Sequence, residues 1–152
     1  MDTKVTLPFA DGEYTFWLPM PRVVAAEREM ARRDADGARN PHSIFAVFHN
    51  IGSHLGQIGD EPMLAGPSPA LLKDAHSIIL NGLIGGNSAT VDGEAITVPD
   101  SIARDLLDTY CYPARPAILD LGLAWNILKA AIYGIDQGSK KKDGADSAPP
   151  PS

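Results

Sequence analysis

Residues 71–86 restrict the fold of this chain more than any other segment, because their apolar side chains recur at helical spacing on a broad face. The segment closes with "GLIGG", three glycines in five residues. A glycine loop that binds phosphate follows a strand and opens a helix, where free amide groups are available. Here the helical rows come first, and no Lys-Ser or Lys-Thr pair follows. The order predicts a helix that ends at Gly85 or Gly86, with glycine as the left-handed cap.

Gly82 differs from these two glycines because it lies inside the helical row. A glycine in a helix interior costs about 1 kcal/mol relative to alanine. We therefore expect a close packing contact between this helix and a neighbouring element at Gly82.

The N-terminal segment predicts a β-hairpin. Short apolar runs at residues 3–9 and 13–18 flank Asp11-Gly12, a pair that suits a turn with positive φ. A second Asp-Gly pair, in "ATVDGEAITV", suits either a short hairpin or an extended loop. The segments "RRDADGARNPH" and "GQIGDEPMLAGPSP" lack periodicity and are predicted to be surface loops.

Four further helices are predicted from apolar spacing and from Pro, Asn, Asp and Ser near their starts. They cover residues 21–33, 40–55, 99–110 and 116–134, and the helix with the glycines is expected to start at Ser68 and Pro69. In the fourth helix of the chain, Ile102, Leu106 and Tyr110 are expected on the buried face.

These elements predict an α+β fold, with an N-terminal β-hairpin followed by about five helices in one compact, mainly helical domain at residues 1–136. A hydrophobic fraction of 44% in 152 residues suffices for one core. Residues 137–152 are rich in Pro, Ser, Gly and charge, and are predicted to form a disordered tail.

Composition also limits the function. The net charge of −6 disfavours nucleic-acid binding, which requires clustered Lys and Arg. No apolar run approaches the length that spans a membrane. Cys111 is the single cysteine, which excludes an internal disulfide and favours a reducing, cytosolic compartment.

The reactive side chains predict no catalytic, cofactor or metal site. The four histidines lack the spacing of metal ligands and are expected to be partly exposed helix residues: His42, His49, His54 and His76. Asp60 and Glu61 are expected in a solvated turn, and Ser53-His54 lacks the third group of a nucleophile system. Cys111 is expected to be a buried residue at a helix end.

Four blocks of this sequence together resemble the tail-assembly proteins of gene transfer agents and long-tailed phages. In order, they are "FADGEYTFWL", "AAERE", "GLIGG" and "LAWNILKAAIYG". That family carries two labels, tail tube protein and tail assembly chaperone. A tube subunit builds rings from a β-sandwich or barrel with many strands, whereas this sequence predicts one clear hairpin and about five helices, which fits the chaperone label better.

The resemblance implies a non-enzymatic chaperone that needs no cofactor and acts in the host bacterial cytoplasm. Its implied partners are the tape measure protein and the tail tube protein, bound transiently during tail morphogenesis, and self-association is left open. The second helix is additional to the shorter family pattern, so we expect the partner contact there, with the last helix as second candidate. The predicted partner-binding residues are Ile44, Phe45, Phe48, Ile51, Leu55, Leu128 and Ile132.

Two other functions compete with this hypothesis. The alternative within the resemblance is a structural tail component, a tube or adaptor subunit retained in the particle. A small enzyme or ligand-binding module that uses the turn at residues 82–87 and a nearby histidine is the third.

Overall fold

A computed structural model describes residues 1–33, 39–40 and 42–136. The predicted disordered tail, residues 137–152, therefore lies outside the described residues, as does Pro41. The helices are α1 Met20–Glu29, α2 Ile44–Gly52, α3 Leu72–Gly86, α4 Asp100–Tyr110 and α5 Ala117–Tyr133. The strands are β1 Val5–Phe9, β2 Gly12–Phe16, β3 Arg32–Arg33, β4 Arg39–Asn40, β5 Leu55–Ile58, β6 Glu61–Leu64, β7 Ser88–Val91 and β8 Glu94–Ile96. The predicted α+β class, the N-terminal hairpin and the five helices are confirmed.

The main sheet is antiparallel and has the strand order β1-β2-β7-β8. It joins the N-terminal hairpin to the second Asp-Gly segment, which forms a hairpin and not an extended loop. At the turn of that second hairpin, Asp92 and Gly93 have φ values of 52° and 80°. Both values lie in the left-handed region that a two-residue hairpin turn requires.

The turn of the first hairpin also contains a residue with positive φ, but this residue is not the predicted one. The positive φ of its turn lies at Ala10, at 53°, so the prediction that Asp11-Gly12 supplies it is wrong. Gly12 pairs with Phe9 in the strand, and a Cβ at this position would overlap the carbonyl oxygen of Thr90 in β7. This glycine is therefore required by the neighbouring strand.

Helix α3 lies at the centre of the fold, in contact with α1, α4, α5 and β2. Its C-cap is Asn87, which has a φ of 47° and donates its N–H to the carbonyl of Leu83 at 2.9 Å. The prediction of a glycine cap is therefore wrong. Gly85 and Gly86 are the last residues inside the helix, where a Cβ would overlap the carbonyl oxygens of Trp17 and Thr15 respectively.

The packing contact predicted at Gly82 is confirmed. A Cβ on Gly82 would lie 3.4 Å from Phe16 and from Ile127, and its carbonyl accepts a hydrogen bond from the N–H of Trp17 at 3.0 Å. The glycines of α3 thus bring the helix close to the backbone that ends β2, and we call this the α3–β2 contact.

Three predicted helix boundaries differ from the structure. Helix α1 ends at Glu29, four residues before the predicted end, and Arg32–Arg33 pairs with Arg39–Asn40 where a loop is predicted. Helix α2 begins after Ser43, whose Oγ accepts a hydrogen bond from the N–H of Ala46 at 3.0 Å. Helix α3 begins at Leu72, since Ser68 instead accepts a hydrogen bond from the N–H of Ala70.

The segment after α2 is a second site of disagreement. The predicted loop contains the hairpin β5–β6, and Leu55, expected on the helix, is the first residue of β5.

In α4, Ala103 and Leu106 are buried, whereas Ile102, expected on the buried face, is 41% exposed. Among the described residues, no helix combines the length and the apolar character needed to cross a membrane.

Candidate interaction surface

The structure separates the seven predicted partner-binding residues into two groups. Ile44, Ile51 and Leu128 are 7%, 1% and 0% exposed and belong to the core, so they have no surface to offer to a partner in this fold. That part of the prediction does not agree with the structure. The helical rows were correctly placed, but these three side chains point inward.

The other four residues lie at the surface between α2 and α5 or beside it. Phe45 is 64% exposed, and Phe48, Leu55 and Ile132 are partly buried against the core. Two residues of α5 that were not predicted as binding residues, Trp125 and Tyr133, join them.

Aromatic rings form the centre of this surface. The rings of Phe48 and Trp125 are stacked, with centroids 5.5 Å apart and planes at 17°. Tyr133 meets Phe48 edge-on with a centroid distance of 5.9 Å, and is itself 66% exposed. The stacked pair is partly buried against the core, whereas Phe45 and Tyr133 beside it are mostly exposed, although large apolar side chains are normally turned inward.

Gly52 determines where the indole of Trp125 lies. A Cβ on this last residue of α2 would be 2.7 Å from Nε1 of Trp125, so the glycine leaves the space that the ring occupies. Within the described part of the chain, the indole N–H donates no hydrogen bond. The Lys129 ammonium lies 5.3 Å from the ring centroid, a cation–π contact.

Two cavities adjoin the Gly52–Trp125 pair, which lines both of them. One has a volume of about 510 Å³ and is bounded by Phe45, Phe48 and Tyr133. The other, of about 520 Å³, lies between α5 and the β5–β6 hairpin. We call the two together the aromatic groove. Its lining residues include Phe45, Phe48, Gly52, Leu55, Pro62, Leu119, Leu123, Trp125, Ile132 and Tyr133.

A second cluster lies at the junction of α4 and α5 and is buried. The carboxylate of Asp120, which is 0% exposed, accepts hydrogen bonds from Arg115 Nε at 2.7 Å and from the N–H of Tyr112 at 2.8 Å, and lies 2.7 Å from Nε2 of His76. Burial, followed by the charge of Asp120, raises the pKa of the Cys111 thiol to about 12. Cys111 is buried at the helix end, as predicted.

The ligand atoms of His76, Cys111 and Asp120 all lie within 4.8 Å of one another, close enough to be bridged by a metal ion. The Arg115 guanidinium already neutralises the Asp120 carboxylate and would repel a cation. The hydrogen bonds from Tyr112 and Arg115 to Asp120 link the α4–α5 loop to the first turn of α5.

Contrary to the prediction, the four histidines do not all lie on helices. His49 and His76 lie on helices, whereas His42 and His54 do not. His42 Nδ1 lies 3.0 Å from the buried carboxylate of Asp74, so the segment before α2 pairs with α3, which local spacing does not reveal. The sequence could have indicated these pairings through the carboxylates. Asp74 and Asp120 each lie in the first turn of a helix, where negative charge is favoured.

The remaining predicted groups are at the surface. Asp60 is exposed at the turn of the β5–β6 hairpin, with Glu61 beside it, in agreement with the solvated turn. Ser53 Oγ and His54 Nδ1 are 2.8 Å apart, and among the described residues no carboxylate bonds to His54. Around Gly85 and Gly86 the backbone of β2 fills the space that a phosphate would need.

Among the described residues, the aromatic groove is the apolar concave surface with the most exposed aromatic side chains. It offers stacked rings, an unused indole donor and two adjoining cavities, and it has no catalytic grouping among its lining residues. Comparison of this chain with models of protein families, with curated proteins and with solved structures found no match.

Proposed function

We propose that this chain is a non-enzymatic tail assembly chaperone of a phage or gene transfer agent. In this proposal it binds the tape measure protein, tail tube subunits or both in the bacterial cytoplasm during tail morphogenesis. The observation that supports the proposal is the aromatic groove, in which Phe45 and Tyr133 are 64% and 66% exposed. Exposed apolar patches of this kind mark protein interaction sites.

The groove suits an amphipathic helix of the client. Leu119 and Tyr133, which line its two ends, are fourteen residues apart on α5, or about 21 Å at 1.5 Å per residue. A client helix of about four turns has that length. Its apolar face would cover the rings of Phe48 and Trp125, leaving its polar face in water.

The size of the contact suits release as well as binding. A single four-turn helix presents one apolar face, so the contact is small beside the roughly 2,000–5,000 Å² that permanent complexes bury. A few large aromatic side chains can nevertheless supply most of the binding energy. A chaperone must shield its client and then give it up when tube subunits polymerise, so a small aromatic contact serves both needs.

The strand content favours a chaperone over the alternative, a tube or adaptor subunit retained in the particle. The described residues contain one open four-stranded sheet and two short hairpins around a helical core. A ring-forming tube subunit would be expected to have a sandwich or barrel. Mass spectrometry of purified particles separates the two functions, because a chaperone is absent from particles and a tube subunit is present in many copies.

Co-expression with the tape measure protein of the same gene cluster tests the proposal directly. We expect the client to be soluble with the wild-type chain and to precipitate with a Phe45→Ser variant. Ile102→Ser is the matched control, since Ile102 is also an exposed apolar residue but lies on α4, outside the groove lining. A client that is equally soluble without this chain would refute the proposal.

A further inference from the structure

We propose that the aromatic groove selects client helices whose apolar face is flanked by Asp and Glu, and that a client carboxylate pairs with Lys129. This selection rests on the proposed function, because an amphipathic client helix must occupy the groove. The apolar lining specifies one face of that helix, and the charges around the lining specify the residues beside that face.

The two helices that form the groove expose no acidic side chain. The chain has 19 Asp and Glu residues against 13 Lys and Arg, a net charge of −6. The sequence of α2 nevertheless contains no acid, and the single acid of α5, Asp120, is 0% exposed and bonded to Arg115. The α2–α5 surface is therefore an exception to the acidic character of the chain.

Lys129 provides the permanent positive charge of this surface. It is exposed on α5, four residues after Trp125 and four before Tyr133, so the three side chains follow one helical row. Its ammonium lies 5.3 Å from the centroid of the Trp125 ring. Among the described residues, no carboxylate pairs with Lys129. The ammonium is thus available at the edge of the apolar lining.

The lining itself does not offset this charge. Among the described residues it contains no Asp or Glu, and its histidine, His49, is neutral or positive. The acids nearest to the lining in sequence are Asp60 and Glu61 at the β5–β6 turn, and they line neither cavity. The cavity between α2 and α5 therefore presents apolar rings beside a cation.

Docking of a helix turns this local charge into selectivity. A client helix over Phe48 and Trp125 removes water from the Lys129 ammonium, which costs free energy if the charge stays unpaired. A carboxylate beside the client's apolar face replaces that water with an ion pair, whereas a client Lys in the same place adds repulsion. Repulsion between an acidic client and the rest of the chain is screened beyond about 8 Å at physiological salt. The local pair therefore favours an acidic client, although the net charge alone would select a basic one.

Three synthetic peptides of about fifteen residues, or four helical turns, test this selection. Each has the same row of Leu, and the flanking positions are all Glu, all Gln or all Lys. Binding to the full-length chain is measured by the anisotropy of a fluorophore on the peptide, at about 0.15 M salt. We expect the Glu peptide to bind about two- to fivefold more tightly than the Gln peptide, and the Lys peptide to bind most weakly. Lys129→Gln should abolish the advantage of Glu over Gln.

Lys4→Gln is the matched control. Lys4 also lies over an indole, 4.9 Å from the ring centroid of Trp17, and its loss changes the net charge equally, but it is outside the groove lining. The order of the three peptides should be unchanged in this variant. Phe45→Ser should weaken the binding of all three peptides together.

Two kinds of result would overturn the proposal. In the first, Glu and Gln peptides bind equally, the Lys peptide binds most tightly, or Lys4→Gln has the same effect as Lys129→Gln. Lys129 then does not select the client, but weaker binding to Phe45→Ser would still locate the helix in the groove and leave the proposed function standing. In the second, no peptide binds or Phe45→Ser changes nothing. The groove is then not a helix site, and the proposed function loses its support together with the charge selection.

Discussion

The α3–β2 contact and the aromatic groove both depend on glycines, but the glycines face different neighbours. At the α3–β2 contact, Gly85 and Gly86 face the backbone carbonyls of Trp17 and Thr15, which cannot move without shifting the end of β2. In the groove, Gly52 faces the side chain of Trp125, which can rotate. The first arrangement fixes the fold, and the second leaves a surface that can adapt to what it binds.

The largest effect should come from Gly86→Ala. The added Cβ would overlap the Thr15 carbonyl, so helix and strand must separate, and we expect a loss of more than about 3 kcal/mol in the free energy of unfolding. Urea unfolding followed by circular dichroism measures it.

Gly122→Ala is the matched control, because this glycine of α5 has nothing within 4 Å of its Cβ position. It should stabilise the chain by about 0.5–1 kcal/mol through the gain in helix propensity. Equal stabilities for the two alanine variants would show that the α3–β2 contact is not as close as described.

Gly52→Ala should have a smaller effect, about 1–3 kcal/mol, because the indole of Trp125 can move away from the new Cβ 2.7 Å from its Nε1. The fluorescence of Trp125, recorded in a Trp17→Phe background, should change even where the chain stays folded. A loss as large as that of Gly86→Ala, or an unaltered spectrum, would mean that the groove is no more adaptable than the core.

The core on the α3 side should also respond to alkaline pH. Folding raises the pKa of Cys111 from 9.0 to about 12, so between these values the unfolded chain loses a proton that the folded chain keeps. Stability should therefore be complete below pH 9 and fall as the pH rises toward 12. Denaturant unfolding at pH 8 and pH 10.5 measures this fall, and it should be smaller in Cys111→Ala. An equal fall in both proteins would assign the pH response to other groups.

Phe45→Ser should change stability least, by less than about 0.5 kcal/mol, because the ring is 64% exposed. Thermal unfolding beside the wild type is sufficient to check it. A large loss would place Phe45 in the core and remove it from the binding surface.

The spacing of apolar residues and the Asp-Gly pairs predicted the elements that depend on local sequence. The helical rows of α3 and α5 and both Asp-Gly hairpins lie where the sequence indicates. The β5–β6 hairpin was missed because its turn is Gly59-Asp60, the reverse of the favoured order, and because Gly56 and Pro62 interrupt its strands. The end of α3 was found, but its glycines were assigned to capping, since a cap and a close tertiary contact leave the same residue in the sequence.

The candidate surface was only partly predictable for a related reason. Helical spacing identifies an apolar row but not the direction in which it points, so Ile51 and Phe45 looked equivalent in the sequence, whereas one is buried and the other exposed. Trp125 lies at helical spacing with Leu121 and Leu128 on α5. Its role in the groove depends on Gly52, seventy-three positions earlier, and on tertiary packing that brings the two together.

The paired hydrogen bonds between Asp2 and Ile135 have a practical consequence. They hold the beginning of the chain beside the point where α5 ends, so a short peptide could join residues 136 and 1 without crossing the body. New ends could then be opened at the exposed Asp92-Gly93 turn, giving a circularly permuted chain whose core contacts are unaltered. A label or affinity tag placed at these new ends would lie outside the residues that line the aromatic groove.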